Sequence, residues 1–278
     1  MRASVFMAGD GFARLRREIA AIEGNPAALP GRKALLPFGV ARLDRMLAGG
    51  LRRDALHEIR GETARDSGAA AGFAVAILAR LARVDHRPFL LVAEAGALGE
   101  AGHPYGPGLE RFGIDPRRLV IVRTRRASET LWVFEEALRC RGIGAVLAEV
   151  RGHPRDLDLT ASRRLALRAR DSGVMGLLLR QSGAAEPGAA ATRWHVAPRA
   201  STTLDDFAPG IGRPAWRLAL ERNRAGPTGI FDLEWNHDSR AFAPAGRAAL
   251  SLPRASVPFD RPDPPPAAGA KMAFRRAS

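Results

Sequence analysis

"HEIRGETARDSGAAAGFAVAILARLA" (57–82) decides the fold: a short apolar run, a loop opened by Gly61, then a long apolar stretch of good helix formers. Strand, glycine loop and helix in this order form the layout of a phosphate-binding loop, in which backbone N–H groups and a helix N-terminus cradle an anion. Such a loop closes with Gly-Lys-Ser or Gly-Lys-Thr, whereas this chain has Ser67, Gly68, Ala69, Ala70 and Ala71. Gly61 and Gly68 can still belong to a nest, and Thr63 and Ser67 offer hydroxyls, but no lysine neutralises the phosphates. Arg65 is the nearest cation; its planar fork is larger than an ammonium and precedes the glycine. A structural remnant is favoured over a working nucleotide site, because catalysis at such loops is largely electrostatic.

On either side of this stretch, apolar runs alternate with helical patterns. Strands are expected at 55–59, 88–93, 118–123, 143–150 and 174–180, several of them continuously apolar, as parallel strands covered on both faces require. Helices are expected over 68–83, near 108–112, over 128–139 and over about 159–171. This βαβ progression predicts a doubly wound, mostly parallel α/β sheet with flanking helices. In the helix from Ser128, Ser128 is the expected N-cap, Glu129 suits the dipole, and Leu131, Phe134 and Leu138 share one face. Trp132 lies off that stripe and is expected to pack along a helix edge, an interface role being the alternative. "TRWHVAP", "PAWRLALERNR" and "TGIFDLEW" then read as antiparallel C-terminal strands, with "NRAGPTG" as a hairpin turn.

Composition divides the chain into an N-terminal helix and connector (1–50), a core (51–240) and a Pro- and Arg-rich flexible tail (241–278). Phe12, Leu15, Ile19 and Ile22 recur at helical spacing in "GFARLRREIAAIE" and make an amphipathic helix. With 278 residues, one compact domain can bury a large core without metals or disulfides. A single cysteine, Cys140, and the lack of a long apolar run near the start favour a cytoplasmic protein with no membrane anchor. The net charge is +14, and 41 of the 43 basic residues are arginine, Lys33 and Lys271 being the only lysines. GC-rich codon usage and nucleic-acid binding both produce that bias, and it speaks for a partner only where cations cluster.

Catalytic constellations are sparse. Glu149 closes an apolar strand where a magnesium-binding Asp would stand in an ATPase, and the alternative is an ion pair with Arg151 or Arg155. Glu94 ends "PFLLVAE", where a carboxylate can activate water. Glu135 and Glu136 are adjacent on a helix and diverge, and Asp205 and Asp206 fall in a loop. Histidines 57, 86, 103, 153, 195 and 237 are scattered, so neither a metal site nor a cofactor is expected. No nucleophile elbow or dinucleotide fingerprint is present.

Several segments together resemble one family. "LPFGVARLDRMLAGGLRRDALHEIRG" (36–61) is similar to the approach to a RecA-like core. "YGPGLERFGIDPRRLVIVR" (105–123), "LWVFEEALRCRGIGAVLAEV" (131–150), "LDLTASRRLALRA" (157–169), "AAATRWHV" (189–196) and "RPAWRLALERNRAGPTGIFDLEW" (213–235) resemble the ImuA proteins, RecA-related members of a bacterial mutagenesis cassette. The resemblance spans about residues 10–240. It implies a RecA-like fold and a damage-inducible accessory role in error-prone translesion synthesis. The implied partners are ImuB, a non-catalytic Y-family-like polymerase homologue, and an error-prone C-family DNA polymerase; DNA contact and self-association are left open. Against RecA, Gly68, Ala69 and Ala70 stand in place of Gly-Lys-Thr, and Ala95 stands opposite the catalytic glutamate with Glu94 one residue early. A pseudo-ATPase is therefore expected, with partner contacts on the N-terminal helix (Phe12, Leu15, Ile19) and the tail end (Phe274, Arg275, Arg276). An ATP-dependent RecA-like DNA-binding enzyme using Arg65 and Glu149, and a SulA-like inhibitor of cell division, are the alternatives.

Overall fold

The computed structural model describes residues 35–97, 102–152, 154–181, 186–201 and 212–246. The expected N-terminal helix with Phe12, Leu15 and Ile19, the loop acids Asp205 and Asp206, and the tail residues Phe274, Arg275 and Arg276 lie outside them.

Each expected run becomes a strand, buried except at Leu119–Thr124, which lies at the sheet edge with Val120 and Ile121 exposed. These are β3 (Leu56–Arg60), β4 (Phe89–Glu94), β5 (Leu119–Thr124), β6 (Ala145–Val150) and β7 (Met175–Arg180), preceded by the two-residue pair β1 (Leu35–Leu36) and β2 (Leu51–Arg52). They are followed by β8 (Thr192–Pro198), β9 (Ala215–Asn223), β10 (Gly229–Asn236) and β11 (Ala241–Pro244). The nine-stranded sheet has the order β11-β10-β9-β8-β3-β7-β6-β4-β5. β8 is parallel to β3, so antiparallel pairing begins only at β9, one strand later than expected. The two Asn223 amide protons go to the carbonyls of Met46 and Pro227, fixing the turn into β10.

The helices described in full between the strands are α1 (Ala41–Met46), α2 (Ser67–Ala82), α3 (Gly106–Phe112), α4 (Ala127–Arg139) and α5 (Leu159–Ser172). α2 is rich in Ala and Gly, so its backbone comes close to the sheet; a Cβ on Gly72 would touch the Trp216 indole at 3.6 Å. α4 and α5 cover the opposite face, where Leu131, Phe134, Leu138 and Leu165 bury against Val92, Val146 and Leu178. α4 starts one residue earlier than expected, with Arg126 at the N-cap position and no side-chain cap. Ser128 is therefore already helical, and Glu129 serves the free end instead by accepting from the Arg125 N–H at 2.9 Å. Trp132, expected to pack along an edge, is 66 % exposed.

The core reaches past both compositional boundaries. Phe38 from the connector stacks on Phe73 of α2 (centroids 6.2 Å apart) and lies 5.0 Å from Phe242 of β11, which follows Arg240. Phe242 also touches Trp216 and Trp235. Gly50 allows the connector to return here, because a Cβ at its φ of +140° would meet the Leu36 carbonyl oxygen at 2.5 Å. Segments that look like connector and tail thus complete one aromatic cluster, since buried rings gain more than short Pro- and Gly-flanked segments lose on ordering.

Below this cluster a hydrogen-bonded chain fixes β3 against β8. The Trp194 Nε1–H donates to Thr192 Oγ1 at 2.8 Å, and Thr192 Oγ1 lies 2.8 Å from His57 Nδ1. His57 Nε2 lies 2.8 Å from the Arg52 carbonyl, which can only accept, so the ring carries its proton there and takes the Thr192 hydroxyl at Nδ1. Burial lowers the His57 pKa from 6.5 to about 4. The folded value is the lower one, so the contribution of His57 to stability is full above pH 6.5 and fades as pH falls towards 4. The expected loss is about 3 kcal/mol. Urea denaturation at pH 7 and pH 4.5 measures it, and a His57→Gln variant is expected to show a flatter profile.

Candidate functional site

β3 delivers the chain to Gly61 at the C-terminal edge of the sheet, where ligands of open α/β proteins bind. The Gly61 N–H donates to the Arg180 carbonyl of β7 at 3.2 Å, which anchors the loop to the neighbouring strand. A single 3-10 turn (Ala64–Asp66) leads into α2. The Asp66 carboxylate turns back into the loop, accepting from the backbone N–H of Thr63 at 2.9 Å, that of Glu62 at 3.2 Å, and the Thr63 hydroxyl at 3.1 Å. Two donors that a phosphate loop would present to a nucleotide are thus held by the protein's own anion. Gly61 permits this closure, because a Cβ there would come within 2.8 Å of the Asp66 Cβ.

The start of α2 also fixes the register of the motif. Counting Gly-x-x-x-x-Gly-Lys-Ser/Thr from Gly61 puts Asp66 at the second glycine, Ser67 at the lysine and Gly68 at the hydroxyl. α2 begins at Ser67, in keeping with that count. The alignment that put Ala69 in place of lysine is therefore displaced by two residues. Gly68 is exposed, with open space where a Cβ would project, and Arg65 is exposed as well. Asp66, which spacing alone did not single out, decides the chemistry of the loop.

Glu149 lies at the same sheet edge, two strands away across β7. Its carboxylate is buried and accepts a hydrogen bond from the Gln181 side chain, with Gln181 immediately following β7. Burial raises the Glu149 pKa, and only the charge of Arg151 opposes that shift. Gly61, Ser67, Gly68 and Glu149 are thus gathered at one edge, together with Asp66 and Gln181, which sequence reasoning missed. Glu94, at the end of β4, is separated from β7 by β6.

Next to the loop, Glu58 of β3 forms a buried ion-pair network. Its carboxylate accepts from Arg180 Nη1 at 3.2 Å and from Arg193 Nε at 2.8 Å. The Arg180 Nη2 reaches Gly152 O at 3.4 Å, and Arg193 also donates to the Glu186 carbonyl. These two buried guanidinium groups are therefore committed to holding β3, β7 and β8 together. The only hint in the sequence was the presence of Glu58, Arg180 and Arg193 within otherwise mostly apolar strands. Among the described residues no cluster of three or more His, Cys, Asp or Glu could hold a metal ion, and Cys140 is a free, exposed thiol.

A mostly parallel sheet between two helical layers, with a strand-loop-helix junction at its C-terminal edge, defines a RecA-like α/β protein whose phosphate loop is closed by its own carboxylate. The fold is similar to the crystal structure of the RadB recombinase, with a TM-score of 0.50 and 15 % identity, covering 76 % of this chain and 100 % of that one. No family model matches the chain. Two curated relatives, each named Protein ImuA, come from Caulobacter vibrioides strains NA1000 / CB15N and ATCC 19089 / CIP 103742 / CB 15. Each is 34 % identical over 213 residues, covering 72 % of this chain and 83 % of the relative. The chain belongs to the ImuA family.

Proposed function

We propose that this protein is a non-catalytic accessory factor of damage-induced, error-prone translesion DNA synthesis in the cytoplasm, a pseudo-ATPase that binds an ImuB-type polymerase homologue and acts with an error-prone C-family DNA polymerase. Membership of the ImuA family supports the pathway. The observation that carries the pseudo-ATPase reading is the Asp66 carboxylate on the N–H groups of Glu62 and Thr63, with Ser67 where the lysine would stand. An anion already in the nest repels a triphosphate, and no loop lysine offsets that repulsion. Among the described residues no helix is long and apolar enough to cross a membrane.

Two measurements on the full chain test the two parts separately. Calorimetry with ATP and magnesium is expected to show no saturable binding; turnover abolished by Glu149→Gln would make the protein an enzyme. Co-purification from damaged cells is expected to capture the ImuB-type partner with the full chain. A chain ending at Gly246 keeps β11 and Phe242 in place, so its loss of the partner would assign binding to the tail with Phe274, Arg275 and Arg276. Equal capture by both chains would exclude the tail, and failure of both would overturn the partner assignment.

A further inference from the structure

We propose that the outer face of α4 and α5 is a docking surface for an acidic amphipathic helix of a protein partner. The inference does not depend on the pathway in which the protein acts. Of the four tryptophans, Trp194, Trp216 and Trp235 are buried, whereas Trp132 on α4 is 66 % exposed. Leu167 on α5 is 46 % exposed. Large apolar groups left in water in this way, tryptophan above all, are the side chains that anchor protein interfaces.

The helices lie side by side, joined where Arg164 Nε donates to Glu135 at 2.7 Å with Arg168 Nε 3.7 Å from the same carboxylate. Trp132 precedes Glu135 by three residues and Leu167 follows Arg164 by three. Positions three apart are neighbours on one helix surface, so the two apolar groups flank the ion pair on the outward side. The shallow groove between two packed helices suits the ridges of a third.

Charge selects the occupant. α5 carries Arg163, Arg164, Arg168 and Arg170 against Asp171 alone, and Arg164 and Arg168 share the Glu135 carboxylate. The chain's own ends are poor occupants: residues 1–34 hold six Lys or Arg against three Asp or Glu, and residues 247–278 hold six against two. A second copy, at +14, is repelled as well. Single-stranded nucleic acid would stack on Trp132, but Leu167 offers it nothing to pair with. A helix with leucines on one face and Asp or Glu beside them satisfies both the apolar groups and the arginines.

The test uses the full chain at near-physiological salt, where loose charge pairing is screened. The probes are a synthetic amphipathic Leu/Glu peptide of about 18 residues, or five helical turns, its Leu/Lys counterpart, and an oligothymidylate about 20 nucleotides long. Because the other tryptophans are buried, acrylamide quenching reports mainly on Trp132. The Leu/Glu peptide is expected to shield Trp132 and the Leu/Lys peptide is not. In fluorescence anisotropy with labelled Leu/Glu peptide, the Trp132→Ala/Leu167→Ala double variant is expected to bind about tenfold or more weakly, with an unchanged melting temperature. Ile230→Ala, an exposed apolar side chain on β10, is expected to leave binding intact. Absence of shielding at millimolar peptide, equal binding by the double variant, or shielding by the oligothymidylate in preference to the peptide would overturn the proposal.

Discussion

Replacing Glu58 by alanine is expected to destabilise the protein by about 3 to 5 kcal/mol, read as a fall in the urea midpoint with little change in slope. Glu58 is 4 % exposed and is the shared acceptor of Arg180 and Arg193, themselves buried within the sheet. Without it, two guanidinium groups face each other in a low-dielectric interior. Arg180 loses its buried carboxylate partner, its approach to the half-exposed Glu186 being longer at 3.6 Å. Breaking one partner of a buried network costs more than the network is worth, because the remaining charges have been desolvated without compensation. A triple variant, Glu58→Leu with Arg180→Met and Arg193→Leu, is therefore expected to recover most of the lost stability. A triple variant as unstable as Glu58→Ala would show that packing at Glu58, rather than stranded charge, sets the cost.

The combined substitution Asp66→Gly, Ser67→Lys and Gly68→Thr is expected to create ATP–magnesium binding that calorimetry detects, a gain of about a hundredfold or more in affinity, or about 3 kcal/mol. Asp66→Gly frees the N–H groups of Glu62 and Thr63, Ser67→Lys supplies the missing cation, and Gly68→Thr supplies a hydroxyl for magnesium. Each part needs the others. Ser67→Lys alone is expected to gain little, because the new ammonium would pair with Asp66. A triple variant that melts like the native protein yet binds ATP no better would show that the carboxylate is not the barrier.

The sheet was legible because its signal is local. Five strand-like runs, several of them continuously apolar and separated by four helical patterns, admit few arrangements other than a parallel sheet covered on both faces. Boundaries were less legible where they depend on partners distant in the chain. Phe38 and Phe242 sit in segments whose composition reads as connector and tail, and only their meeting with Phe73 and Trp216 identifies them as core. The same holds for Trp132: helical spacing puts it off the buried stripe, but whether a neighbouring element covers it is a tertiary matter, and none among the described residues does.

At the site, the residue types present were enough to remove lysine from the phosphate loop and so to deny it the charge its chemistry needs. They could not say what filled the space, because that depends on the direction of one short side chain. The helix starts at Ser67, the 3-10 turn brings Asp66 over Gly61, and the carboxylate then finds two backbone donors within reach. In the same way the sequence placed Glu149 at a strand end, while only the adjacency of β6 and β7 brought it Gln181 as a hydrogen-bond donor, beside the charge of Arg151. What the chain's letters determined was therefore the scaffold and the loss of a cation, both properties of local pattern and residue type. What folding alone decided was which donors and acceptors meet across strands, since hydrogen-bond partners are chosen by distances of a few ångströms between residues far apart in sequence.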